Sequence, residues 1–72
     1  MVLNDLKQFL DKTVILRMTD GEVAKVKVDF IDEEYDDIIV DVLETSCPDR
    51  YRDTSAAYTF AAADIVSAEI SQ

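Results

Sequence analysis

The 72-residue chain has no histidine, no tryptophan, one cysteine, one glycine and one proline. Each shortage excludes something. With Cys47 alone, no disulfide can form within the chain. Without histidine the commonest zinc ligand is missing, and so is the side chain that acid–base and nucleophilic catalysis recruit most often. Cys47 precedes Pro48 with no neighbouring base to activate it, and a hydrolase built on carboxylates alone needs two acids held in a pocket. The expectation is a protein that is not an enzyme and has no catalytic residues, resident metal or cofactor. A single Gly and a single Pro also argue against a linker-like or low-complexity chain. No apolar run reaches the roughly 18 residues of a membrane span. The first ten residues carry Asp5 and lack a basic leader region, so the expected location is cytoplasmic, away from membranes.

Positive charge is scarce as well. Seven Lys and Arg face sixteen Asp and Glu, a formal charge of −9. The acids gather in residues 1–44, twelve against five bases, whereas residues 45–72 hold four against two. Nucleic-acid binding draws much of its affinity from cations that neutralise phosphates, so a general polyanion-binding surface is disfavoured and any such activity needs a local basic patch.

What is present is a β pattern. Val2, Leu3, Leu6, Phe9 and Leu10 recur at three- and four-residue spacing, which predicts a short amphipathic helix over about 3–11. From Thr13 the period becomes two, with Val14, Leu16 and Met18 on one face of a strand over about 13–19. Asp20-Gly21 interrupts two strand-like runs and suits a tight two-residue hairpin. A second strand, about 22–31, alternates Val26, Val28 and Phe30 with Lys25, Lys27 and Asp29. The acidic run Asp32 to Asp37 breaks the alternation, and Ile38, Val40 and Val42 restore it in a third strand over about 38–44. Thr45 to Ser55 has no period and reads as the longest loop. Short strands over about 57–60 and 65–70 follow, joined by one helical turn at Ala61 to Asp64. A chain of 72 residues in this pattern is one domain with a thin core, and association is the route left open for stabilising it.

A short N-terminal helix followed by five strands, the second long and the last two short and joined by one turn, resembles the Sm/LSm-like family. Val14, Leu16, Gly21, Val28 and Asp32 fall at spacings similar to its first motif, and Asp37 sits one residue later than that motif's Asn. The departures are Val26 where the family has a second Gly, Asp37 in place of Asn, and Ala62-Ala63-Asp64 where an Arg-Gly would be expected. The resemblance implies a strongly bent five-stranded antiparallel sheet that closes into a small SH3-like barrel over residues 1–72. It also implies a ring in which the fourth strand of one subunit pairs with the fifth of the next. The interface would then include Tyr58, Phe60, Ile65, Val66 and Ile70, on short apolar edges that Lys or Pro do not protect.

For such rings the resemblance places base binding in the loop between the second and third strands, here Asp32, Tyr35 and Asp37, with RNA or single-stranded DNA as the partner. Tyr35 could stack on any base, whereas an ionised Asp37 offers only acceptors and repels phosphate; a solvated acidic turn is the alternative. The spacing of these carboxylates matches no EF-hand loop. Arg50-Tyr51-Arg52 interleaves an aromatic ring with two guanidinium groups and is the best polyanion-binding candidate, although Asp49 and Asp53 could equally pair with its charges. Two functions stay open: a nucleic-acid-binding Sm-like ring, and an acidic homo-oligomeric scaffold for protein partners.

Overall fold

The computed structural model describes residues 1–51 and 57–71. The chain opens with α1 (Leu3–Leu6), which tightens into a 3-10 turn at Lys7–Phe9. Five strands follow: β1 (Thr13–Met18), β2 (Val23–Asp32), β3 (Asp37–Thr45), β4 (Ala57–Ala61) and β5 (Ile65–Ile70). All pairings are antiparallel, in the order β4-β3-β2-β1-β5. The mainly β reading and the five strands stand as expected from the sequence.

The helix is shorter than the expected 3–11. Beyond Leu6 the winding tightens to about three residues per turn, so residues three apart eclipse one another. Leu3, Leu6 and Phe9 therefore share the buried face, while Leu10 falls off it and is 44% exposed. Asp11, at φ 64°, turns the chain into β1.

The first hairpin also differs from expectation. Met18 N donates to Glu22 O at 2.8 Å and Gly21 N to Met18 O at 3.0 Å, which makes a three-residue loop of Thr19, Asp20 and Gly21. Only Gly21 takes a positive φ, 95°, the arrangement of a turn that ends in a left-handed glycine. The Asp20 side chain accepts the Glu22 N–H at 3.0 Å and holds the loop from inside.

Strand β2 bends without the second glycine of the family pattern. Lys25 faces Glu44 while Val26 faces Val42, which leaves Leu43 as an extra residue on β3. Val28 then faces Val40 while Phe30 faces Ile39, leaving Asp29 extra on β2. Two bulges on opposite strands supply local twist, and Val26, wholly buried, fills the core where a glycine would leave space. The second bulge also reverses the faces beyond it. Phe30, expected beside Val26 and Val28, is 54% exposed.

The expected barrel closure is not present: the sheet remains open, with β4 and β5 as its two edges. They are consecutive in sequence and joined only by the 3-10 turn Ala62–Asp64. In a flat sheet, four inter-strand steps of about 4.8 Å would separate them by about 19 Å. A 3-10 turn advances only about 2 Å per residue, so the sheet must curl until the ends of its edges approach. The turn itself is tied down: Ala62 N donates to Asp36 O at 3.0 Å, and Asp64 O accepts from Thr19 N at 2.9 Å. Inside the curl lie Val14, Leu16, Met18, Ala24, Val26, Val28, Ile38, Val40, Val42, Ala62 and Ile65, and Leu3, Leu6 and Phe9 complete the core. No helix among the described residues is long and apolar enough to cross a membrane.

Candidate functional site

Strand β2 carries one candidate site at each end. At its far end, Asp32 and Asp37 face one another across the ladder and the turn between them presents Tyr35. Asp32 Oδ1 accepts the backbone N–H groups of Glu34 at 3.0 Å and Tyr35 at 3.3 Å, so this carboxylate organises the turn. Asp36 completes it at φ 57°, a conformation that Asp tolerates better than most residues. Tyr35 is left 71% exposed, with its ring available as a stacking surface. One carboxylate oxygen of Asp37 is buried without a hydrogen-bond partner. The bond from Ala62 to Asp36 brings the last turn of the chain beside this hairpin.

Arg50 and Tyr51 lie at the other end, beside Asp20 and Glu22, so the sequence candidates divide between two places. Arg52 lies outside the described residues. The centre of this second cluster is Glu22, only 3% exposed. Its Oε2 accepts the Thr45 hydroxyl at 2.5 Å and the Tyr51 hydroxyl at 2.7 Å, while Oε1 accepts an Arg50 N–H at 3.2 Å. The same Arg50 nitrogen bonds Asp20 Oδ2. Thr45 Oγ1 in turn accepts Cys47 N–H at 3.0 Å, which starts the chain into the 3-10 turn Pro48–Arg50.

This network has electrostatic consequences. Burial and the Glu22 carboxylate push the Tyr51 phenol far above its ordinary range, so it remains a donor. The Glu22 backbone N–H and then the Arg50 guanidinium hold Asp20 below the usual carboxylate range. Arg50 is raised in turn, chiefly by Asp20. Its charge is thus committed to Asp20 and Glu22 and not to the flanking Asp49, while Asp53 lies outside the described residues. Sequence reasoning missed Glu22 itself, although a signal exists: it continues the inward-facing positions Ala24, Val26 and Val28, where a charged residue needs partners.

Tyr51 also meets β4. Its ring packs edge-on against Tyr58 with centroids 4.8 Å apart and lies 6.3 Å from Phe60. Of the interface residues read from the sequence, Tyr58 and Phe60 are partly buried against the core and Ile65 is a core residue at 1% exposure. Val66 and Ile70 are exposed on β5. Val66 is an extra residue in the β1–β5 ladder, since Arg17 faces Ser67 while Met18 faces Ile65.

The other cations are largely matched. Lys7 pairs with Glu33, Arg17 with Glu69 at 3.7 Å, and Lys27 with Asp29 at 3.9 Å. Among the described Lys and Arg side chains only Lys12 and Lys25 have no ion pair. No three His, Cys, Asp or Glu side chains among those residues are grouped to hold a metal ion. At the β2 bulge the Asp29 carboxyl is raised above its usual range, first by its hydrogen bond to Asp41 and then by burial and the Asp41 charge. A carboxyl raised in this way costs the folded state stability as pH climbs through its folded value. Replacing Asp41 with Asn is expected to stabilise the chain at pH 7 by about 0.5–1 kcal/mol. The gain should shrink on acidification, as protonation of Asp29 relieves the same repulsion, and urea unfolding at a series of pH values measures it. The chain matches no family model, no curated protein and no solved structure.

Proposed function

We propose that this chain is a subunit of an Sm-like ring that binds RNA or single-stranded DNA through Tyr35. The reading is carried by the open sheet, whose edges are β4 and β5. Each edge presents a row of backbone groups to the outside, and the β4 edge of one copy can continue onto the β5 edge of the next. A contact between two different patches of the same chain propagates head to tail and makes a ring where its rotation closes. Exposed Val66 and Ile70 give the β5 side an apolar margin for this contact. Around such a ring the Tyr35 turn repeats once per subunit, and weak stacking at each copy adds up through effective concentration.

The commitment of Arg50 to two carboxylates favours a second reading, an acidic homo-oligomeric scaffold without nucleic-acid binding. Native mass spectrometry and titration with labelled oligo-U and oligo-A at two salt concentrations separate the two. The expected result is a closed oligomer that binds at low salt. Val66→Lys should disperse it, and Tyr35→Ala should weaken binding by an amount corresponding to about 1–3 kcal/mol per stacked base. A monomer at working concentration overturns the ring; an intact ring that binds neither oligonucleotide leaves the scaffold.

A further inference from the structure

Between the β1–β2 turn and β4 lies a cleft of about 450 Å³, whose lining includes Asp20, Glu22, Arg50, Tyr51, Tyr58 and Asp64. We infer that this cleft binds a cationic side chain, the ammonium of a Lys or the guanidinium of an Arg presented by a partner polypeptide. The inference stands on residues of one chain and does not rest on the ring.

Three observations carry it. The first is charge. Among the described residues that line it, Asp20, Glu22 and Asp64 are set against Arg50, an excess of two negative charges in a recess where solvent screens less than on an open surface. Arg50 bonds both Asp20 and Glu22, so an entering anion would have to displace those bonds and then meet the freed carboxylates. A cation meets Asp64, whose exposed side chain lines the mouth.

The second is the wall. Tyr51 stands nearly perpendicular to Tyr58, at 82°, and steeply inclined to Phe60, at 67°. Aromatic faces attract cations through their quadrupole, Arg stacks on them as well, and rings set at large angles offer faces from more than one side. Three of the chain's six aromatic residues gather here. The third is rigidity. Glu22 holds Thr45, Arg50 and Tyr51 in place at once, so little side-chain freedom is lost when a ligand enters. The volume lies within the range usual for small-ligand pockets.

Tyrosine emission provides the readout, because the chain has no Trp. In a Tyr35→Phe background the remaining tyrosines, Tyr51 and Tyr58, both line the cleft. This protein is titrated with three blocked peptides, Gly-Ser-Arg-Ser-Gly and its Lys and Glu counterparts, while amide shifts are followed by NMR at about 0.05 M and 0.3 M salt, on either side of strong screening. The expected result is saturable binding of the Arg and Lys peptides, with shifts centred on Thr19, Thr59 and Asp64. Asp64→Asn and Phe60→Leu should each weaken it about fivefold while the spectrum stays dispersed. Equal binding of the Glu peptide overturns the inference, as does the lack of saturable binding by either cationic peptide. Shifts spread over the acidic surface, vanishing at the higher salt and indifferent to Asp64→Asn, would identify diffuse attraction and overturn it too.

Discussion

Replacing Glu22 with Ala is expected to destabilise the chain by about 2–4 kcal/mol at pH 7, since it strands two hydroxyls at a partly buried place and leaves Arg50 with Asp20 as its one carboxylate partner among the described residues. That is a large share of the roughly 4–11 kcal/mol typical of a domain this size. Tyr51→Phe, which leaves Glu22 with Thr45 and Arg50, should cost less, about 1–2 kcal/mol. The double variant should fall short of the sum, because both changes remove the same bond. The pair also predicts alkaline behaviour. The folded state keeps the Tyr51 proton, whereas the unfolded chain releases it near pH 10, so the stability tied to this group is fully present below that pH and is lost as pH rises through and beyond it. Urea unfolding at neutral pH and above pH 10 tests this: Tyr51→Phe should flatten the alkaline fall, and an unchanged slope would show that the phenol ionises freely in the folded chain.

The same cluster shows what was legible in the residues and what was not. Alternation placed β1 and its buried Val14, Leu16 and Met18 correctly, because no residue is inserted into that strand's pairing with β2. It failed at Phe30 because a period of two assumes an uninterrupted ladder, and the extra residue at Asp29 has no mark in the sequence. The Asp20-Gly21 turn was legible as a turn, while its length depended on where Met18 and Glu22 pair. Barrel closure was a property of the resemblance, and the strand order leaves the edges open. Arg50 and Tyr51 stood out for composition alone. Their actual partners, Asp20 and Glu22, lie about thirty positions earlier, and nothing local announces a contact at that separation. Tyr35 is the reverse case: an acidic run between two strands predicts an exposed turn, and the turn presents its ring to solvent.

The N-terminal segment gives the sharpest contrast between a pattern and its geometry. An unbroken α-helix over 3–11 would put Leu6 and Leu10 on one buried face, four residues apart. The 3-10 turn after Leu6 instead aligns Leu3, Leu6 and Phe9, with Leu6 at 1% exposure and Leu10 at 44%. Leu6→Ala should therefore cost about 2–4 kcal/mol, as the lost transfer energy is joined by a cavity in a core that α1 closes from one side. Leu10→Ala should cost less than about 0.5 kcal/mol, the range of surface substitutions. Denaturant unfolding of the two variants decides the matter. Comparable losses would restore the continuous helix. A large loss at Leu6 alone would show that the tightened turn sets the register, leaving Leu10 beside exposed Phe30 at the surface recess they share with Lys7, Ile31 and Glu33.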